Sequence, residues 1–210
     1  MSVGVLEDLS RGIGQVELLT VDQYQRMIAA GILNEDDPLE LIDGIIVRRD
    51  RQDSKGDMPQ GERHSSVLRQ LSEILILQCV DLNCHARVQL PLPLSLVDAP
   101  EPDLCVVRGR AREYLGRFPE RAEVLAVIEV SETSLVYDQN AKLRLYAAFD
   151  MPTYIIVNLP EASIEVYTQP IPKRQIFGQV LTYHRGDTVE LKLDDRGSIS
   201  IVVEEIVSEG

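Results

Sequence analysis

The run VLAVIEVS sets one acid, Glu129, inside a stretch that is otherwise apolar from Val124 to Val130. So short and continuous an apolar run reads as a strand buried on both faces. A second such run, Leu104 to Val107, follows another acid in EPDLCVV. Two strands of this kind demand a sheet covered on each side. Asp103 and Glu129 then fall at or within a core, where acids persist only when paired, protonated or bound to a metal. At the ends of adjacent strands they would make an oxygen-rich pocket for a hard divalent cation.

The chain has 210 residues, enough for one substantial core, and is 44% hydrophobic, which excludes a disordered chain. No stretch approaches the ~20 apolar residues of a membrane span. The start, MSVGVLEDLSRGIGQ, lacks the basic and apolar regions of a secretory signal. Cys79, Cys84 and Cys105 fit neither a disulfide framework nor a metal knuckle, and a reducing cytoplasm is the expected location. The formal net charge of -13 argues against a broad nucleic-acid-binding surface, because phosphate contacts need local positive charge. A small active site stays open, since a bound cation reverses the local field. Arg108, Arg110, Arg112 and Arg117 crowd one loop after the Asp103 strand. They read either as solvated charge or as contacts to a substrate backbone.

Along the chain, Thr20 can cap a helix carrying Tyr24, Met27 and Ile28 and ending near Gly31. LELIDGIIVRR is a strand pair turning at Asp43-Gly44. The polar stretch Asp50 to Gly61 reads as a loop. From His64 to about Cys79, Leu68, Leu71, Ile74 and Leu75 recur at helical intervals. Ala86, Val88 and Leu90 alternate as a strand, and PLPLSLVDAPEP interrupts regular structure. A helix over Asp138 to Phe149 stops at Pro152. Tyr154 to Val157 pairs with Ile164 to Tyr167, and a hairpin around Arg185-Gly186-Asp187 leads into further strands through Leu191 and Val202. The expected fold class is α/β, a mixed central sheet flanked by helices with additional C-terminal strands. The division expected is an N-terminal extension over 1–19 and one domain over 20–210, its motifs within 36–167.

Mg²⁺, or Mn²⁺ in its place, is the expected cofactor, held by Asp103, Glu129 and the carbonyl of Val130. Such an ion would polarise a phosphoryl oxygen and activate water. A structural account competes: Asp103 capping a turn after Pro102, and Glu129 paired with a buried base. Lys142 makes either an i,i+4 pair with Asp138 or an approach to the water or phosphate from a helix packed on the Glu129 strand. Tyr146, on the same helical face, orients that amine or fills the core. Glu40 holds a metal-bound water or second ion, or is a solvated acid on an edge strand, while Asp43 serves the turn. His64 reaches phosphate, caps the helix start or is exposed. His85 and His184 have no partners for a nucleophilic triad or a zinc cluster. No glycine-rich nucleotide loop is present.

The ordered pieces LELIDGIIV, ERHSSVLRQL, EPDLCVV, VLAVIEVS and YDQNAKLRLYAAFDMPTYIIV resemble the Uma-type restriction-endonuclease family, of the restriction-endonuclease-like PD-(D/E)XK superfamily. The likeness covers most of residues 20 to 167. It implies a mixed sheet flanked by helices and Mg²⁺-dependent DNA cleavage. Glu40, Asp103 and Glu129 match the family's acidic positions, and Lys142 its lysine displaced from the strand, where Ser131 stands instead, onto the next helix. His64 matches a usual histidine, whereas Asn140 and Asp150 stand where glycine is common. The expected activity is a metal-dependent endonuclease hydrolysing DNA. The alternative is a non-catalytic nucleic-acid-binding or protein-interaction module on the same fold. DNA is the expected partner, with a homodimer to cut both strands and no membrane.

Overall fold

The computed structural model describes residues 16–34, 37–48 and 60–207. Most of the loop expected over Asp50 to Gly61 and residues 1–15 of the N-terminal extension lie outside them. Helix α1 (Val21–Ala29) begins where Thr20 predicts. Thr20 Oγ1 accepts the Gln23 N–H at 3.2 Å and Gln23 Oε1 accepts the Thr20 N–H at 2.8 Å, which satisfies donors a helix start leaves without partners. Strands β1 (Leu39–Ile42) and β2 (Ile45–Arg48) pair across Asp43 and Gly44 at φ +50° and +72°. Two positive φ values make the hairpin turn whose twist matches that of its strands. Gly44 is needed for a second reason, because a Cβ there would lie 2.6 Å from that of Leu18.

The central sheet has six strands in the order β3-β4-β5-β6-β7-β8. They are β3 (Cys84–Val88), β4 (Leu104–Arg108), β5 (Val124–Ser131), β6 (Thr153–Asn158), β7 (Ser163–Ile171) and β8 (Ile176–Tyr183). Only β5 and β6 run parallel within it. A parallel pair needs a crossover, here helix α3. This helix is an α segment Leu135–Tyr137, a π segment Asp138–Lys142 and an α segment Leu143–Ala148. It covers one face of the sheet, where Tyr146 and Met151 pack with Cys105, Val127, Tyr154 and Ile156. On the other face lies α2 (Gln60–Cys79), which buries Val67, Leu68, Leu71 and Leu75 against Leu104, Val106, Ile128 and Ile155. Every residue of β5 is buried, as its apolar run requires.

Strands β9 (Thr188–Lys192) and β10 (Ser198–Val202), with α4 (Val203–Ile206), extend the core on the α2 side through Val189, Leu191, Ile199 and Ile201. Gln78 of α2 completes the outer edge of β10. Its Nε2 donates to the Ser200 carbonyl at 2.8 Å and its Oε1 accepts the Ser200 N–H at 2.9 Å.

Helix α2 starts at Gln60 rather than His64, inside the stretch expected as a loop, and three further expectations change in detail. The turn at Arg185 to Asp187 is not a hairpin: β8 pairs with β7 and β9 with β10, so this turn carries the chain between two sheets. Alternation in TVELK and SISIV satisfies the second sheet, whereas β8 is bound by its register with β7. Strand β3 stops at Val88 because Gln89 turns left-handed at φ +46°, leaving Leu90 exposed. Helix α3 starts at Leu135 rather than Asp138. No helix among the described residues is long and apolar enough to cross a membrane.

Candidate active site

Antiparallel pairing of Leu104 with Ile128 fixes the geometry, because it sets the entry of β4 beside the exit of β5. Asp103 and Glu129 therefore meet. The Asp103 N–H donates to Glu129 Oε2 at 3.3 Å, and the Val130 N–H to Asp103 Oδ2 at 2.9 Å. Within an extended strand one residue's N–H and C=O point to the same side, so the Val130 carbonyl faces the Asp103 side as well. Gln89 Nε2 donates to Asp103 Oδ1 at 3.2 Å, and His64 Nε2 lies 3.2 Å from Oδ2. His64 is one turn inside α2, directed at Asp103, and neither caps the helix nor stands in solvent.

Lys142 joins the other two acids. Its Nζ lies 2.9 Å from Glu129 Oε1 and 2.7 Å from Glu40 Oε2, with 1% of the side chain exposed. Glu40 is fully buried, so the solvated-edge reading fails: it accepts from Lys142, from Tyr137 Oη at 3.0 Å and from the Glu101 N–H at 3.3 Å. The contacts of Asp138 differ from the i,i+4 alternative, since its Oδ2 accepts from the hydroxyls of Ser131 and Ser134. Tyr146 Oη donates to Glu129 Oε1 at 3.0 Å. Burial, and then the charge of Glu129, pushes the Tyr146 phenol well above its ordinary range. Burial and the charge of Glu40 push Tyr137 up as well, so both hydroxyls stay protonated as donors. Burial also raises the carboxyl of Asp138, against the pull of the two serines and Lys142.

A cavity of about 350 Å³ opens onto Asp103, Glu129 and Val130, with Arg48, His64 and Tyr137 among its walls. Glu40 and Lys142 lie behind that wall. Among the described residues no three His, Cys, Asp or Glu side chains form a ready-made metal cage. Mg²⁺ needs less, since it keeps several waters and is held by one or two carboxylates. Asp103, Glu129 and the Val130 carbonyl fit that donor set. Glu40 and Glu129 share the one ammonium of Lys142, and Asp103 stands beside Glu129, so carboxylates outnumber the lysine here and a bound cation would offset their charge.

The arginine-rich loop lies at the far end of β4, about 17 Å of strand from Asp103. Arg108 pairs with Asp194, Arg110 donates to the Val80 carbonyl, and Arg117 forks onto Glu123. These three arginines are thus tied to the protein's own groups, which is neither the simple solvated charge nor the substrate-backbone contact that the sequence offers. Tyr137 and Gln89 were invisible as site residues. Tyr137 precedes the helix start read from the pattern, and the left-handed turn of Gln89 has no local signal. Asp150 takes φ +56°, a conformation in which glycine is the commonest residue. All three cysteines are free and buried, and burial pushes the Cys105 thiol up to about 12.

The fold is shared with a solved structure, "a putative nuclease belonging to DUF820 from Anabaena variabilis ATCC 29413", at a TM-score of 0.60 and 13% identity, over 90% of this chain and 97% of that one. Among curated proteins none matches. A family model described as "Putative restriction endonuclease" matches residues 21–194, which takes in both faces of the sheet and all four residues of the charged cluster. The chain belongs to that family, Uma2.

Proposed function

We propose that the protein is a divalent-metal-dependent endonuclease that hydrolyses DNA phosphodiester bonds. The observation that carries this reading is the meeting of Asp103 and Glu129 on one cavity wall, with a buried ammonium 2.9 Å behind Glu129. Asp103, Glu129 and the Val130 carbonyl would hold Mg²⁺ or Mn²⁺. Once bound, the ion supplies Lewis-acid activation of water and offsets charge on the departing oxygen. Lys142 holds Glu129 in its rotamer from behind the cavity wall. Glu40 fixes that ammonium, itself oriented by Tyr137. His64 and Gln89 orient Asp103 from its two oxygens. The family description supports nuclease chemistry in general; the metal and the DNA substrate are our own reading.

The test is Mg²⁺-dependent nicking of supercoiled plasmid by purified protein. Asp103→Asn and Glu129→Gln should each lower the rate at least a hundredfold with circular dichroism unchanged. Undiminished cleavage by both variants overturns the assignment. One observation favours a binding module instead: both carboxylates already accept donors from the protein itself. Calorimetry separates the two, because a binding module would take up neither Mg²⁺ nor Mn²⁺ at this cavity. We take a homodimer as the working form, since a duplex cut needs two centres or two successive reactions.

A further inference from the structure

The helix that delivers Lys142 is irregular where it does so. The Leu143 N–H reaches back five residues to the Asp138 carbonyl, which makes a π-turn. On a regular α-helix, residues five apart point about 140° away from each other. Tyr137 and Lys142 are five apart, yet both bond to the same carboxylate, Glu40. The wider turn lets both reach it.

Side chains of Ser131, Tyr154 and Glu165 from the sheet, with Ser134 at the helix's own N-cap, hold that turn. Asp138 Oδ2 accepts from Ser131 Oγ at 2.7 Å and from Ser134 Oγ at 2.5 Å. Tyr154 Oη donates to the Asp138 carbonyl at 3.1 Å, adding to the bond that carbonyl takes from Leu143. Gln139 Nε2 donates to both oxygens of Glu165, at 2.9 and 3.1 Å. Glu165 is a buried acid of β7 that also accepts from Asn158 Nδ2 and Tyr167 Oη. Asp138 and Ser134 line the cavity, whereas neither Gln139 nor Glu165 does, so substrate contact does not explain the second pair. Ser131 lies two residues beyond Glu129 on the same strand, which ties the turn directly to the strand that carries the acid.

We propose that Asp138 and Gln139 are positioning residues: anchored by Ser131 and Glu165, they hold the π-turn that aims the Lys142 ammonium at Glu129 and Glu40. Without these anchors the helix relaxes to α geometry and sheds the extra residue. Lys142 then turns by about 100° and leaves both carboxylates. The consequence for catalysis rests on the nuclease reading, whereas the aim of the ammonium does not.

The chain has four lysines, Lys55, Lys142, Lys173 and Lys192. Protein labelled with ¹³C and ¹⁵N in lysine alone therefore gives four ammonium signals, and Lys142→Met identifies the one that matters. In Asp138→Ala this signal should move toward those of the exposed Lys173 and Lys192. At the same time kcat for plasmid nicking should fall at least tenfold, with KM and the Mg²⁺ dissociation constant within twofold. Asp138→Asn keeps an acceptor oxygen for the serines and should restore both signal and rate. Gln139→Met probes the second anchor and carries the test if Asp138→Ala does not fold. A Lys142 signal unmoved in Asp138→Ala and Gln139→Met, with or without a drop in Tm, overturns the proposal. Should the wild-type protein fail to cleave, the nuclease reading falls while the signal still decides the anchors.

Discussion

Lys142 is a charged residue at 1% exposure, and its desolvation is offset by two carboxylates rather than one. Its place on a helix packed against the Glu129 strand was legible from order along the chain, but its ion pairs with Glu129 and Glu40 were not, because the sequence aims the amine at water or phosphate or pairs it with Asp138. Nor was its burial, because a lysine on an amphipathic helix ordinarily reads as the wet face. Asp103 and Glu129 were easier, since apolar neighbours mark an intruding acid. Glu40 resisted a decision because LELIDG gives no sign of what covers its strand. Asp138 illustrates the energetic consequence of such burial. Its carboxyl is raised from 3.8, chiefly by desolvation, so between that value and the raised one the native state binds more protons than the unfolded chain. Stability from this group is fully present below about pH 3.8 and is lost as pH rises through the folded value. Urea midpoints measured from pH 3.5 to 7 should therefore show wild type losing ground to Asp138→Asn as pH rises, then a constant gap. A gap that closes with rising pH refutes the sign.

Among the elements, those with one dominant period were the most readable. Strand β5 announced itself by an unbroken apolar run, and α2 by leucines at helical spacing. Leu71 sits at the centre of the α2 seam at 1% exposure. Leu71→Ala should cost about 2–5 kcal/mol in chemical denaturation, from lost transfer energy and the cavity left behind. A cost under about 1 kcal/mol would mean that α2 is not clamped to the sheet as described. The π-turn of α3 left no trace in the pattern, because one extra residue changes side-chain direction without changing composition. Pairing in the C-terminal strands was equally hidden. A turn such as Arg185 to Asp187 looks the same whether it joins partners or connects two sheets.

Taken as a whole, the molecule joins a strongly acidic chain to a cavity that, on the nuclease reading proposed above, approaches another polyanion. Arg48 is the one arginine or lysine on the cavity wall among the described residues. Few phosphate neutralisations imply a shallow salt dependence. With one or two such contacts, the logarithm of DNA affinity in Ca²⁺ should fall against the logarithm of salt with a slope of about -1 to -2. Titration by fluorescence anisotropy measures it, and a slope steeper than about -5 would reveal a basic surface elsewhere. Specificity for a DNA sequence is accordingly not expected from a wide basic face.

One contact far from the cavity shapes how this chain meets its neighbours in a crowded solution. The amide of Gln78 imitates a peptide group, bonding Ser200 as a third strand would. The small outer sheet thereby ends at a side chain and cannot be lengthened there by a stranger's backbone.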